Sequence, residues 1–323
     1  MTAREHVLKS LTEGGERSGS ELAREIGVSR NAVWKAVEAL RKEGYRIEGG
    51  THRGYRLLTE PDRLSEETIR GWLTTEAIGR GIELHDTIDS TNRRAKALAA
   101  DGAPHGFIVA ADSQTGGRGR RGRSFFSPRG SGIYLSLILR PDCAPDLSGM
   151  ITSMTAVAAA RAIEALSDLD VRIKWVNDLY LGSRKCCGIL CEAGISLETG
   201  RMDYAVAGIG INVQPMDFPA ELADIATSIG NETGRSLDRN RLIAEICNQT
   251  ERVWGQLETG EFLAESRRRS NVIGRRVTVL EGEKQYTATA LDLDERGRLA
   301  VRRGNEVILL DYGEVSLRRE ETP

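Results

Sequence analysis

Residues 116–123 read GGRGRRGR, four glycines and four arginines with no other side chain. A run of this kind has nothing to bury. The segments on either side of it, GFIVAADSQT before and GIYLSLILR after, are apolar and β-branched and read as buried strands. The chain must therefore build a sheet whose interior strands are joined by a cationic loop. Three readings of the run are open. It could be an RNA-binding tail of the RGG type, a solvated charged loop without a task, or a mobile anion-binding loop. In the last case glycine lets backbone N–H groups approach an anion while arginine forks onto it. The flanking strands argue against a free tail and favour a functional loop on a rigid scaffold.

The N-terminal segment carries separate punctuation. Ser18 or Ser20 can cap a helix with apolar positions Leu22, Ala23 and Ile26, and Gly27 ends it. Ser29 caps a second helix with Ala32, Val33, Ala36, Val37 and Leu40 on one face, stopped by Gly44. The stretch HVLKSLTEG supplies a helix that packs ahead of them. YRIEGG and GYRLL follow as short strands around the turn GGTHRG, which makes a wing. Two helices joined by a short turn form the helix-turn-helix pattern, whose second helix enters the DNA major groove. Ser29, Arg30, Asn31 and, one turn on, Lys35 would face DNA, with Arg53 of the wing on phosphate or the minor groove. A small protein-interaction domain could use the same fold. One such module is too small for tight specific binding, so a dimer with half-sites about 34 Å apart is expected. Pro61 breaks the wing strand, Ser65 starts a new helix, and the first boundary falls near residue 62.

From Leu84 the chain alternates strand and helix patterns. Ser90, Thr91 and Asn92 sit at the start of a helix running to about Ala100, where a polar or anionic ligand group fits, although plain capping, which any helix needs, is the better explanation of these residues taken alone. LSGMITSMTAVAAARAIEAL reads as a buried helix. VRIKWVNDLYLGSRKCCGILCEAG reads as a strand, a polar turn and two further strands. In it, Lys174, Asn177 and Asp178 gather at the first turn and Lys185 begins the last strand, ahead of Gly188. YAVAGIGINVQP is a buried strand whose glycines permit close approach. Beyond residue 270 short alternating strands joined by EGE, DERG and RGN turns suggest a small β-barrel.

Composition narrows the function classes. The 323 residues hold 45 Lys+Arg against 47 Asp+Glu, a net charge of −2, which excludes a bulk polycation but permits a local basic face. Length suggests two or three domains at roughly 100–200 residues each. No stretch approaches the ~18 apolar residues of a membrane helix. The charged N-terminus does not read as a signal peptide, and a cytoplasmic protein is expected. The five cysteines lack framework spacing and read as free thiols; KCCGILCE has no nearby histidine to complete a metal set.

DSTN, QTGGRGRRGRSFFS, KWVNDLYLGSRKCCGIL and GIGIN, in that order, resemble biotin–protein ligases. With the N-terminal winged helix, the likeness is to the bifunctional bacterial type that also represses the biotin operon. It covers nearly the whole chain, with two alternatives open: a ligand-sensing repressor whose ligase fold does not catalyse, and a lipoate–protein ligase, which shares the fold and the adenylation chemistry. The resemblance implies an α+β multidomain fold with three parts. These are a winged helix-turn-helix at 1–62, a central mixed-sheet α/β ligase domain of class II synthetase type at 63–270, and an SH3-like C-terminal β-barrel at 271–323. It implies that biotin and Mg-ATP give biotinyl-5′-AMP, from which a lysine of a biotin carboxyl carrier protein takes biotin. Biotinyl-AMP would also drive formation of a homodimer on operator DNA.

By the same resemblance, Lys185, Arg118 and Arg120 are the catalytic cations. Ser90, Thr91, Asn92, Gln114, Gly119 and Gly188 join them around biotin. Gly117, Arg121, Lys174, Asn177, Asp178 and Asn212 surround the adenylate. Magnesium arrives with ATP, with Asp178 as one possible ligand and no tightly bound metal. Val176 stands where the family commonly has proline. The chemistry agrees independently: a carboxylate and a triphosphate must meet, and their repulsion needs fixed cations. The adenylate must also be kept dry, so the Gly/Arg loop is expected to be mobile when empty and ordered by ligand.

Overall fold

The computed structural model describes residues 2–42, 45–50, 53–59, 62–141, 143–196, 198–281, 284–311 and 314–317. Gly44, the wing tip at Thr51 and His52, Pro61 and the side chain of Arg53 lie outside what is described. The chain forms two compact units, Met1–Asp62 and Arg63–Pro323.

In the first unit, helices α1 (Ala3–Thr12), α2 (Gly19–Ile26) and α3 (Arg30–Lys42) precede a two-stranded antiparallel ribbon, β1 (Arg46–Gly50) and β2 (Arg53–Thr59). Ser18, not Ser20, caps α2. Its hydroxyl accepts from the Glu21 N–H while the Glu21 carboxylate accepts from the Ser18 N–H, a reciprocal pair that Ser20 has no partner to make. Gly27 closes α2 at φ +76°, the left-handed conformation that glycine takes without a Cβ penalty. The Ser29 hydroxyl then accepts from the Ala32 N–H at 3.2 Å and starts α3. Val33, Val37 and Leu40 are buried with Leu22, Val7 and Tyr55. Each such side chain contributes roughly 1.5–3 kcal/mol, which holds three short helices that would be marginal alone.

The second unit begins with α4 (Glu66–Trp72), capped by Ser65. It continues through β3 (Ile82–His85), α5 (Thr91–Ala100), β4 (Ile108–Ala111), β5 (Gly132–Leu139), α6 (Ser148–Ser167), β6 (Val171–Lys174), β7 (Asp178–Leu181), β8 (Arg184–Ile195) and β9 (Met202–Asn212). After α7 (Ile229–Thr233), α8 (Arg239–Trp254) and α9 (Phe262–Arg269) come β10 (Arg276–Glu281), β11 (Lys284–Leu293), β12 (Leu299–Arg303), β13 (Glu306–Leu310) and β14 (Glu314–Leu317).

Seven strands form a mixed sheet in the order β3-β4-β5-β9-β8-β7-β6, parallel only between β3 and β4. Alternation along β5 sends Leu135, Leu137 and Leu139 toward α6 and Ile138 toward α5. Ala156, Ala158, Ala159, Ala160 and Ala162 of α6 are fully buried; small side chains let this helix lie close to sheet and neighbours. Glycines at 208 and 210 of β9 fall opposite Ser136 and Tyr134 of β5. That register leaves an open trough on the α5 side of the sheet.

The last five strands make an antiparallel sheet ordered β13-β12-β11-β10-β14. Its core includes Val277, Val279, Ala290, Leu299, Val301 and Val315, and Trp175 from the β6–β7 turn inserts among them. The Trp175 indole N–H donates to the Gly297 carbonyl at 3.0 Å.

Candidate active site

The trough is walled by the start of α5, the Gly/Arg loop, the β6–β7 turn and the glycine-bearing stretches of β8 and β9. Ser90 caps α5, its hydroxyl accepting from the Arg93 N–H, and Ser90, Thr91 and Asn92 line the trough at this end. The Thr91 N–H donates to Gln114 Oε1 at 2.9 Å, and the Gln114 amide donates to Ser127 at 3.1 Å. This end of the pocket is neutral and rich in donors and acceptors. Asn92 lines it too, but its amide is committed. Both N–H groups are used, on the Leu190 carbonyl at 3.1 Å and Glu192 at 3.0 Å, and its oxygen accepts from Ser136 at 2.7 Å. Asn92 therefore braces the wall. Burial pushes the Glu192 carboxyl up, but hydrogen bonds from Lys96 and Asn92 outweigh it and hold it below the usual range.

The other end is cationic. The Gly/Arg run folds back on itself: the Gly119 N–H donates to the Arg123 carbonyl at 2.7 Å and the Phe125 N–H to the Gly117 carbonyl at 3.0 Å. Arg121 at φ 57° and Gly122 at φ 73° turn the tip. This places Arg118 and Arg120 on the pocket. The Arg120 guanidinium donates to Asn177 Oδ1 at 3.0 Å, and the Asn177 amide donates to the Ile189 carbonyl at 3.0 Å. Lys185 Nζ lies 2.7 Å from Asp178 Oδ1. A Cβ on Gly188 would stand 3.0 Å from the same ammonium, so glycine there gives the lysine its room.

Two aromatic residues of the pocket are absent from the sequence reading. Phe125 lies over Gly210, where an added Cβ would be 2.6 Å from its ring, and meets Tyr134 edge-on at 6.4 Å. Together they give the trough an apolar floor. Arg120, Ile189 and Leu190 also border a second cleft of about 470 Å³, closed on its far side by Trp175, Val176 and the Arg296–Arg298 loop of the C-terminal sheet. A narrow pocket with a neutral and a cationic end thus opens into a larger space at its cationic end.

Residues 84–212 match the Biotin/lipoate A/B protein ligase family, 4–56 an HTH domain and 272–318 the Biotin protein ligase C terminal domain. The chain is 42% identical over 249 residues to the bifunctional ligase/repressor BirA of Bacillus subtilis, covering 76% of each protein. It is 30% identical to that of Escherichia coli over 98% of this chain and 97% of the other. It belongs to the biotin protein ligase family. Among solved structures, the biotin protein ligase from Aquifex aeolicus in complex with biotin and ATP superposes with a TM-score of 0.65 at 28% identity, over 75% of this chain and all of that one.

Not every residue that the motifs of this ligase family single out lines the first pocket. Ser90, Thr91, Asn92, Gln114, Arg118, Gly119, Arg120, Asn177, Lys185 and Gly188 do. Gly117, Arg121, Lys174, Asp178 and Asn212 stand outside its wall. Lys174 lies over the Tyr180 ring at 5.6 Å. Asn212 is buried and donates to the Thr227 carbonyl at 3.0 Å, which fastens the segment that pairs with the Lys185 backbone. Its place is behind the lysine. Asp178 reaches the site through Lys185. The peptide before Val176 is cis.

No group of three or more His, Cys, Asp or Glu side chains among the described residues is arranged to hold a metal. Burial pushes the thiols of Cys186 and Cys247 up to about 12, so these are inert core groups; Cys191, partly buried on the wall of the second cleft, is pushed up to about 11. No helix among the described residues is long and apolar enough to cross a membrane.

In the first unit, Arg30, Asn31 and Lys35 are exposed on α3, and Ser29 is spent on capping it.

Proposed function

We infer that the chain is an ATP-dependent biotin–protein ligase that also acts as a transcriptional repressor through its helix-turn-helix unit. The observation that carries the ligase reading is the polarity of one pocket, with Thr91 and Gln114 at a neutral end and Arg118, Arg120 and Lys185 at the other. Biotin fits that polarity. Its uncharged ureido ring takes neutral hydrogen bonds, its apolar ring and chain lie on Phe125 and the glycines of β9, and its carboxylate reaches the cations.

The carboxylate oxygen then attacks the α-phosphorus of ATP, held in the larger cleft, and the bond to pyrophosphate breaks. Arg118, Arg120 and Lys185 offset the charge that builds where two anions meet; one such group typically accounts for about 10²–10³ in rate. Asp178 holds the Lys185 ammonium in place until the anion competes for it. Asn177 aims Arg120. In the second step a lysine amine of a biotin carboxyl carrier protein attacks the acyl carbon and AMP leaves. Magnesium would enter on the triphosphate as part of the substrate, and Asp178, paired with Lys185, is the carboxylate we assign to hold it.

Binding of biotinyl-AMP orders the Gly/Arg loop and favours a homodimer that holds operator DNA. By linkage the dimer then binds biotinyl-AMP more tightly by the same factor. The test of the catalytic reading is exchange of labelled pyrophosphate into ATP. Biotin, and not lipoate, supports it, and Lys185→Ala lowers it at least about 10²-fold. Exchange that ignores Lys185, or that lipoate supports equally, overturns the assignment.

A further inference from the structure

The outward face of α3 carries one residue that neither helix formation nor the core explains. Arg30, Asn31, Trp34 and Lys35 are all exposed and share one face at helical spacing, opposite the buried stripe Val33, Ala36, Val37 and Leu40. Glu38, next along the stripe, is paired with Arg41 at 2.6 Å. Trp34 is 43% exposed in the middle of that cationic and polar surface. A large ring left half in water between an arginine and a lysine costs the free protein hydrophobic free energy. The basic flanks exclude a cationic or purely apolar partner and match a polyanion.

This inference rests on the reading of the first unit as DNA-binding. In a helix-turn-helix the first turns of the second helix face base edges in the major groove. Ser29 caps α3, so Trp34 lies in its second turn, one turn past Arg30. The major-groove edge of the bases offers one apolar group, the C5-methyl of thymine. We propose that Trp34 reads a thymine methyl in each operator half-site, with Arg30 and Asn31 reading neighbouring bases by hydrogen bonds. Trp34 is then a specificity-determining residue. It contributes no phosphate contact, so it leaves the salt dependence of binding unchanged.

The test uses the full-length protein with biotin and ATP. A duplex is selected from a random-sequence pool, and each thymine in it is replaced singly by deoxyuridine, which removes only the methyl. Affinities are measured for wild type, Trp34→Ala and Trp34→Phe. Wild type loses about fourfold at one thymine per half-site, the equivalent of one buried methyl. Trp34→Ala binds the parent duplex about tenfold more weakly and no longer distinguishes thymine from deoxyuridine at that position. Trp34→Phe retains part of both effects. Wild type indifferent to every deoxyuridine, or Trp34→Ala that still responds to the same one, overturns the proposal while leaving DNA binding intact. Failure to select any duplex overturns the DNA-binding reading, and this proposal with it.

Discussion

Replacing Gly208 by alanine tests how the pocket wall is held. The added Cβ would lie 2.0 Å from Asn92 Oδ1 and 2.7 Å from its Cγ. Asn92 cannot swing aside cheaply, because it is short and tied by three hydrogen bonds, to Leu190, Glu192 and Ser136. Two neutral bonds at about 1 kcal/mol each and one to a carboxylate at about 1.5–3 kcal/mol are at stake. Partial relaxation recovers some of this, so Gly208→Ala should cost about 2–4 kcal/mol and lower the melting temperature by about 5–10 °C. The damage extends to function. Ser136 Oγ also lies 2.8 Å from Thr91 Oγ1, and Thr91 holds Gln114; KM for biotin should rise about tenfold, equivalent to 1.4 kcal/mol. The decisive measurement is a double-mutant cycle by denaturant unfolding. Asn92→Ala loses the same three bonds but also removes the obstacle. The double variant should therefore be about as stable as Asn92→Ala alone, which gives a coupling equal in size to the cost of Gly208→Ala, about 2–4 kcal/mol. Additive costs, or a neutral Gly208→Ala, would refute the argument that Asn92 and Gly208 are fitted to each other.

Three further outcomes follow from the geometry. Trp175→Phe keeps the apolar packing but strands the Gly297 carbonyl, at a cost of about 1–3 kcal/mol. Because the turn it anchors also carries Asn177 and so Arg120, pyrophosphate exchange should show KM for ATP rising more than KM for biotin; equal changes would count against this route. Burial holds His105 below the ordinary 6.5, and its Nδ1 accepts from the Arg140 N–H. The unfolded chain then takes up that proton first on acidification. The stabilisation is full above 6.5 and is lost as pH falls from there through the folded value, so His105→Gln should flatten the stability difference between about pH 7.5 and about pH 5.5. Biotin with ATP should slow amide exchange across residues 116–123; unchanged exchange would show that ligand does not order the loop.

What could be read in advance divides by range. Ser65, Gly27 and Ser90 act within one helical turn, and such caps are legible in a single line of sequence. Ser18 and Ser20 were separable only by pairing each with the acid three residues on, which singles out Glu21. The Gly/Arg loop and Lys185 stand out because charge between apolar strands is rare and must be given a place. Phe125 and Tyr134 carried no such mark, since an aromatic residue beside a strand looks like any other core residue. They become the pocket floor only through cross-strand register, which sets Tyr134 opposite Gly210 and Gly210 opposite Gly188. Lys174 shows the converse. It is the cross-strand partner of Asp178 in the β6–β7 hairpin, yet its ammonium stands over Tyr180 and not on the pocket wall. Asn212 follows Gly208 and Gly210 at the same two-residue spacing, but β9 ends there and its amide turns to Thr227. Spacing along a strand fixes which face a residue takes. How far the ligand pocket runs along that face is set by the neighbouring strands, and here the trough ends at Gly210, one strand position pair before Asn212.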